Sequence, residues 1–260
     1  MKHIVQYSGG VGSWAAAWRV VERYGTAQTV LLFCDTLIED PDLYRFLEAG
    51  AQNLGVPVTR IADGRTPWEV FHDERFLGNT RADPCSKILK RDLARTWLHK
   101  HYRPEDCSLY VGIDACQRDK IRFPMIQSAW APYHIEAPLL WSPPWDKDLA
   151  KAVALRQGLE LPRLYALGFT HNNCGGFCVK AGQAQFRHLY EQLPDVYARH
   201  EVEEQALRLA LGKNITILRD RRQGKVFPLT LRDFRVRVQA RQEQEAQEAE
   251  EESCQCFFSF

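Results

Sequence analysis

The chain has 260 residues, a formal net charge of +1 and 45% hydrophobic residues. That apolar content supports a sizeable core, and the near-neutral charge excludes a global field that would drive the chain onto nucleic acid or membrane, leaving only local basic patches for such contacts. No apolar run is long enough to span a bilayer, and the opening MKHIVQY lacks a signal-peptide layout, so the expectation is a cytoplasmic protein whose eight cysteines are reduced thiols, metal ligands or redox centres.

In chain order, His3–Tyr7 reads as a buried strand and Ser13–Tyr24 as a helix ending at Gly25. Thr29–Cys34 is a second apolar strand, Pro41–Leu54 a helix ending at Gly55, and Val56–Ile61 a third strand. Residues 64–84 read as loop, Cys85–Tyr102 as a basic amphipathic helix and Leu109–Ile113 as a fourth strand. Residues 124–146, rich in proline and tryptophan, read as a structured excursion. Helices follow at Lys147–Gln157, Ala181–Leu193 and Glu201–Leu211, and the Gln/Glu-rich residues 237–252 as a solvated helix or frayed tail. The alternation predicts an α/β fold, a parallel sheet with helices on both faces, followed by a cysteine-containing helical extension. The expected organisation is an α/β domain over 1–182, a helical extension packed on it over 183–236, and a charged tail over 237–260 ending in Cys-x-Cys.

Between the first strand and the first helix lies Ser8-Gly9-Gly10-Val11-Gly12-Ser13. Glycine permits close approaches that a Cβ forbids, and a helix starting there points free N–H groups and a positive dipole end, about +0.5 charge, at the turn. This is a seat for an anion, most often a phosphate. No Gly-Lys-Ser/Thr follows, which excludes a Walker loop. Gly10–Ala15 also fits G-x-G-x-x-A, with Asp35 where a ribose-binding acid belongs, so a dinucleotide site competes on this stretch.

Taken with later segments, the turn resembles the pyrophosphate loop, S-G-G-x-D-S, of the adenine nucleotide alpha-hydrolase superfamily, and within it the phosphoadenosine phosphosulfate (PAPS) reductase family. Leu32-Phe33-Cys34-Asp35-Thr36 with Glu39, Pro41 and Tyr44 resembles the family's second strand. Val111-Gly112-Ile113 followed by Arg118, Lys120 and Arg122 resembles its G-x-R-x-x-E-S-x-R segment. Pro138-Leu139-Leu140-Trp141, then Pro162, Tyr165, Gly168 and Cys174-Gly175-Gly176-Phe177-Cys178, resembles its P-L-x-x-W, P-x-Y-x-x-G and C-x-x-C segments. The resemblance implies that Ser8, Gly9, Gly10, Gly12 and Ser13 hold nucleotide phosphates, that Phe33, Asp35 and Thr36 receive adenine or ribose, and that Gly112 lets the nucleotide pass the fourth strand. Gly12 stands where the family has an acid expected near magnesium or the leaving pyrophosphate, which bears on hydrolysis or adenylylation of ATP rather than on binding.

Cys174 and Cys178 flank glycines that let both thiols face one point, and thiolates suit zinc or an iron–sulfur cluster. Cys85 opens a basic helix, where lysines and the helix terminus raise the thiolate fraction. The resemblance implies Cys85, Cys174 and Cys178 as three ligands of a [4Fe–4S] cluster; the alternative is a four-thiolate zinc site of Cys174, Cys178, Cys254 and Cys256. Cys34 and Cys107 read as small buried hydrophobes.

Arg118 and Arg122 fall where the far end of a nucleotide belongs and are candidates, with Cys85, for catalytic roles. Lys87, Lys90, Arg91 and Arg95 read as a solvated face, whereas Arg219–Lys225 forms a basic turn suited to a nucleic-acid backbone. The family resemblance thus implies an enzyme that binds PAPS or ATP and does thiol- or cluster-dependent chemistry, with a thiol electron donor such as thioredoxin. The alternatives are an ATP-dependent sulfurtransferase with a tRNA or DNA acceptor, and a non-catalytic zinc-stapled accessory protein. The family's terminal cysteine motif is missing here.

Overall fold

A computed structural model describes residues 1–79 and 82–255, the side chains of Arg118 and of residues 249–255 excepted. The chain divides into two units, Met1–Val70 with Pro84–Cys178, and Phe71–Asp83 with the residues from Val179 onward.

The first unit is built on five parallel strands: β1 (Lys2–Gln6), β2 (Thr29–Asp35), β3 (Val58–Ala62), β4 (Cys107–Tyr110) and β5 (His134–Glu136), in the order β3-β2-β1-β4-β5. Parallel neighbours require crossover connections, here helical. These are α1 (Val11–Tyr24), α2 (Pro41–Leu54), α3 (Pro67–Asp73), α4 (Pro84–Ser86), α5 (Leu93–His101) and α6 (Gln117–Trp130), and after β5 come α7 (Lys147–Arg156) and α8 (Arg163–Ala166). Side chains alternate across the sheet. On one face Val5, Leu31 and Phe33 pack with Trp14, Phe46, Leu47 and Ala154 from α1, α2 and α7. On the other, Ile4, Leu32, Leu109 and Ile135 meet Ala94 and Leu98 of α5 and Trp130 of α6. The sheet is therefore covered on both faces, as the near-continuous apolar runs of its strands require.

Local chemistry sets the helix ends. The Asp40 carboxylate caps α2 by accepting from the Asp42 N–H at 2.9 Å, and Gly55 closes it in the left-handed conformation, φ 66°.

The structure departs from the sequence reading at three places in residues 64–146, and again in the expected helical extension 183–236, where the helix read over Glu201–Leu211 starts at Pro194 and a β-hairpin follows it. Residues 64–84 are not all loop: α3 is started by a capping box in which the Thr66 N–H donates to Glu69 Oε2 at 2.6 Å and the Glu69 N–H donates to Thr66 Oγ1 at 3.3 Å. The excursion at 124–146 begins inside α6, which carries Pro124 in its interior, and contains the fifth strand, β5. Between α4 and α5 the chain stays helical, but Lys87–Asp92 is π-helical.

The second unit holds α9 (Gln183–Gln192), α10 (Pro194–Leu211), the antiparallel pair β6 (Leu218–Arg222) and β7 (Lys225–Leu229), and α11 (Leu231–Gln255). The residues 237–252 read as a solvated helix or frayed tail thus lie within α11. Its polar core centres on Glu204, 1% exposed, which accepts from the N–H groups of Ile217 at 2.9 Å and Leu231 at 2.6 Å. The Tyr197 hydroxyl donates to the Leu231 carbonyl at 2.6 Å, and Arg235 grips Glu201 through two nitrogens at 2.8 and 3.0 Å. Among the described residues no helix is long and apolar enough to cross a membrane.

His200 is buried in this unit, and burial, with the Arg199 charge second, pushes its pKa down to about 3. Between about pH 6.5 and 3 the unfolded chain binds a proton that the folded chain refuses, so stability falls as pH falls through that window. The expected loss through this one residue between pH 7 and pH 5 is about 2 kcal/mol. Urea unfolding of the wild type and His200→Gln at both pH values checks it: the variant should lose less on acidification by about that amount.

Candidate functional site

The strand order places a reversal of direction between β1 and β4, since the chain runs outward to β2 and β3 on one side and to β4 and β5 on the other. Ligands of open parallel sheets bind outside the carboxyl ends of the strands at such a point. The glycine turn leaves β1 there, and Val111-Gly112-Ile113 leaves β4 there.

The two exits touch. A Cβ on Gly112 would lie 2.8 Å from the Gly12 carbonyl carbon and 2.9 Å from the Ser13 nitrogen, so only glycine fits that crossing. The close approach at Gly112 is thus to the first turn of α1. Gly9 has φ +75°, and its amide precedes the helix. The loop is braced from within: the Ser8 N–H donates to Ser13 Oγ at 3.1 Å, and the Ser13 hydroxyl donates to the Gly10 carbonyl at 2.8 Å. Asn172 Nδ2 braces it from outside by donating to the Gly9 carbonyl at 2.8 Å, while among the described residues the buried Asn172 Oδ1 has no hydrogen-bond partner. Among the described residues the amides of Gly9, Gly10 and Gly12 donate to no protein acceptor. The Val11 N–H points at the Tyr165 hydroxyl, 3.3 Å away. Burial pushes the Tyr165 phenol up, and the N–H groups of Val11 and Asn172 at its oxygen pull the other way. The ammonium groups of Lys147 and Lys151 lie 5.6 and 5.4 Å from the centre of the Tyr165 ring. Burial, and then the like charge of Lys151, lowers the Lys147 pKa.

A second centre forms around Glu39, in the connection from β2 to α2. Its side chain is 2% exposed. It accepts from the Thr36 hydroxyl at 2.9 Å and from the Cys174 N–H, and it pairs with Lys90 Nζ at 3.6 Å. Cys174, Gly175 and Gly176 turn through φ +51°, +57° and +84°, with Gly175 against the Ile38 carbonyl. A non-glycine residue at positive φ persists only where its surroundings hold it, and the bond to Glu39 does so. Lys90 belongs to the π-helical stretch. Burial opposes its charge, but Cys174, Glu39, Cys85 and Cys178, in falling order, more than offset this and raise its pKa. Burial raises the Cys174 thiol while Lys90 draws it down. Cys85, Cys174 and Cys178 are thus all within electrostatic reach of the Lys90 ammonium. Cys34 donates to the Lys90 carbonyl at 3.6 Å, with its pKa pushed up to about 11 by burial; it is only partly buried, whereas Cys107 is the buried thiol the sequence suggested.

The remaining candidates divide. Asp35 is wholly buried, and its carboxylate is taken by the Leu37 N–H and the Tyr44 hydroxyl, both at 2.9 Å, and by Arg60. A ribose-binding acid of a dinucleotide site is therefore not on offer at this position. Phe33 is buried edge-on to Tyr44. Arg118 and Arg122 lie on α6, where Arg122 pairs with Asp119 at 3.1 Å and the Arg118 side chain is outside the described residues. Cys254 is in α11 with its side chain outside the described residues, and Cys256 is outside them altogether.

Among the described residues, only Asp114, Cys116 and Asp119 form a trio of metal-ligand type whose donor atoms all lie within 4.8 Å of one another. Sequence reasoning gave no role to Glu39, Lys90, Lys147, Lys151 or Asn172. Glu39 stood in a quoted motif, and Lys90 was hidden in a basic helix that reads as a solvated face.

No protein-family model matches the chain, and neither does any curated protein. Among solved structures, it is similar to the crystal structure of phosphoadenylyl-sulfate (PAPS) reductase from Candida auris in its phosphate complex. The identity is 15% and the TM-score 0.45, over 65% of this chain and 80% of that one.

The crossing of the two exits yields a paired expectation. Gly112→Ala forces backbone against backbone and should cost about 1–3 kcal/mol. Gly12→Ala meets only the Gly112 carbonyl oxygen at 3.5 Å and, in a helix, should be neutral or stabilising by up to about 1 kcal/mol. Urea unfolding of both variants reads the order; the reverse order contradicts the crossing.

Proposed function

We propose that this protein is an enzyme of the PAPS reductase-like group, which seats the phosphates of an adenine nucleotide in the Ser8–Ser13 turn and performs sulfur chemistry with the thiols around Lys90. The observation that carries the reading is the set of three loop amides, Gly9, Gly10 and Gly12, that donate to no protein acceptor at the point where the strand order reverses. Amides at a helix N-terminus bind anions through both hydrogen bonds and the helix dipole. Lys147 and Lys151 supply the positive charge that a phosphate chain needs, and Phe33–Thr36 offer backbone to the adenosine end. Arg118 and Arg122, on the helix after β4, are suited to the sulfate, phosphate or acceptor at the far end.

The donor set beside this seat fits a [4Fe–4S] cluster. Three thiolates are the soft ligands that iron–sulfur clusters take, and the Lys90 ammonium offsets their charge. Cys85, Cys174 and Cys178 would hold the group, which when bound would supply electron storage and sulfur handling. The protein's own part is to set the Lys90 charge against the burial that disfavours the Cys174 thiolate, to hold Lys90 through Glu39, and to fix the nucleotide by its phosphates. Reduction of PAPS to sulfite with electrons from a thiol donor such as thioredoxin is the reading we favour over ATP-dependent thiolation of a nucleobase, because Gly12 leaves the loop without the acid that the second chemistry expects near magnesium.

Calorimetry with PAPS, ATP and AMP tests the seat. Binding of at least one of them is expected, and Lys147→Ala with Lys151→Ala should weaken it about tenfold, as loss of charge-assisted contacts does. No heat with any of the three rejects the reading. Iron and sulfide assays on anaerobically purified protein test the thiols separately. About four of each per chain are expected, falling in Cys174→Ser; colourless protein holding one zinc overturns the cluster.

A further inference from the structure

The basic turn of the sequence is a hairpin in the second unit. Gln223 and Gly224 take φ +48° and +74°, the two positive angles that a tight two-residue turn needs. The register sets Arg219 opposite Pro228 and Arg221 opposite Val226, so these four share one face. Asp220 and Arg222 lie on the other, where the Asp220 carboxylate accepts from Arg222 at 2.6 Å and from Arg237 at 2.7 Å. The hairpin's one acid is thus consumed on the far face. Arg219 and Arg221 stay exposed, and among the described residues they make no ion pair.

Beside this face runs a groove of about 320 Å³, lined among others by Arg75, Phe76, Lys213, Arg219, Val226 and Pro228. None of its lining residues is acidic. Phe76 is 42% exposed and Val226 51%. The chain's net charge is only +1, so three cations lining one groove without an acid, with Arg221 next along the same strand face, are a local concentration.

We propose that this face of the hairpin and its groove bind single-stranded nucleic acid. Cations along a groove track a phosphate backbone, and an exposed aromatic ring offers a stacking platform to any base. Arg219 and Arg221, two residues apart on one strand, stand about 7 Å apart along it and can meet separate phosphates. Phe76 supplies the ring, with Arg75 and Lys213 on the same rim. The surface lies outside the nucleotide seat, so the inference does not depend on the function proposed above.

Fluorescence anisotropy with labelled oligouridine and oligothymidine of about twenty nucleotides, titrated from about 50 to 200 mM salt, tests it. Binding that weakens with salt is expected for at least one, and the tighter of the two identifies the polymer. Arg219→Ala with Arg221→Ala should weaken binding tenfold or more and lower the slope of log K against log salt by about 1.4, two contacts at about 0.7 each. Phe76→Ala should weaken it about tenfold with the slope unchanged. These side chains are exposed, and urea unfolding checks each variant, Phe76→Leu or Arg219→Gln with Arg221→Gln replacing the corresponding one if it fails to fold. Three results overturn the proposal: neither oligonucleotide binds at about 50 mM salt; binding survives both substitutions; or polyglutamate binds as tightly and without regard to Phe76, which marks an acidic peptide instead.

Discussion

The buried carboxylate of Glu39 is the interaction on which the thiol centre rests. A carboxylate taken out of water is costly unless its oxygens are met. Here the partners come from three parts of the chain: the Thr36 hydroxyl from its own loop, Lys90 from the helical run before β4, and the Cys174 N–H from the turn near the end of the first unit. Satisfying one side chain therefore fixes the ammonium whose charge Cys85, Cys174 and Cys178 all feel, although they are far apart in sequence. Cys174, whose N–H donates to Glu39, is itself held in the left-handed conformation.

The phosphate seat depends on a different constraint, the contact of two backbone exits at the reversal in strand order. Gly112 admits the first turn of α1 so closely that the amides before it are fixed from one side, and Asn172 fixes the Gly9 carbonyl from the other. The loop's hydroxyls are spent on that rigidity, because Ser13 both accepts from Ser8 and donates to Gly10. What is left without a protein acceptor among the described residues is backbone N–H at Gly9, Gly10 and Gly12, the group whose direction a fold controls best.

The α/β architecture was legible because its signals are local. Apolar runs bounded by glycines mark β1 to β4, and Asp40, Pro41 and Gly55 mark both ends of α2. Helix α3 was equally legible through Thr66 and Glu69, whose capping box was overlooked among loop residues. Helix α6 was harder, with proline inside it and Ile121 and Met125 exposed, so neither composition nor periodicity announces it. The site divides in the same way. The glycine turn and the Cys174–Cys178 pair carry their chemistry in adjacent residues. Glu39, Lys90, Tyr165 and Asn172 acquire theirs only through partners in distant segments. Lys90 shows the difference well: among neighbouring cations on a basic helix, nothing but tertiary contact with Glu39 sets it apart.

The π-helical stretch Lys87–Asp92 has a consequence for how this chain can vary. A turn closed by i→i+5 rather than i→i+4 bonds holds one more residue than an α-helical turn, and each residue of an α-helix advances the side chains by about 100°. Removing one residue from this stretch would leave a plain helix of ordinary sequence with Cys85 swung about a quarter-turn or more from Lys90. Leu89 and Leu98 of this run are buried, so the length between Cys85 and Leu93, as much as the residues themselves, sets how Cys85 faces Lys90.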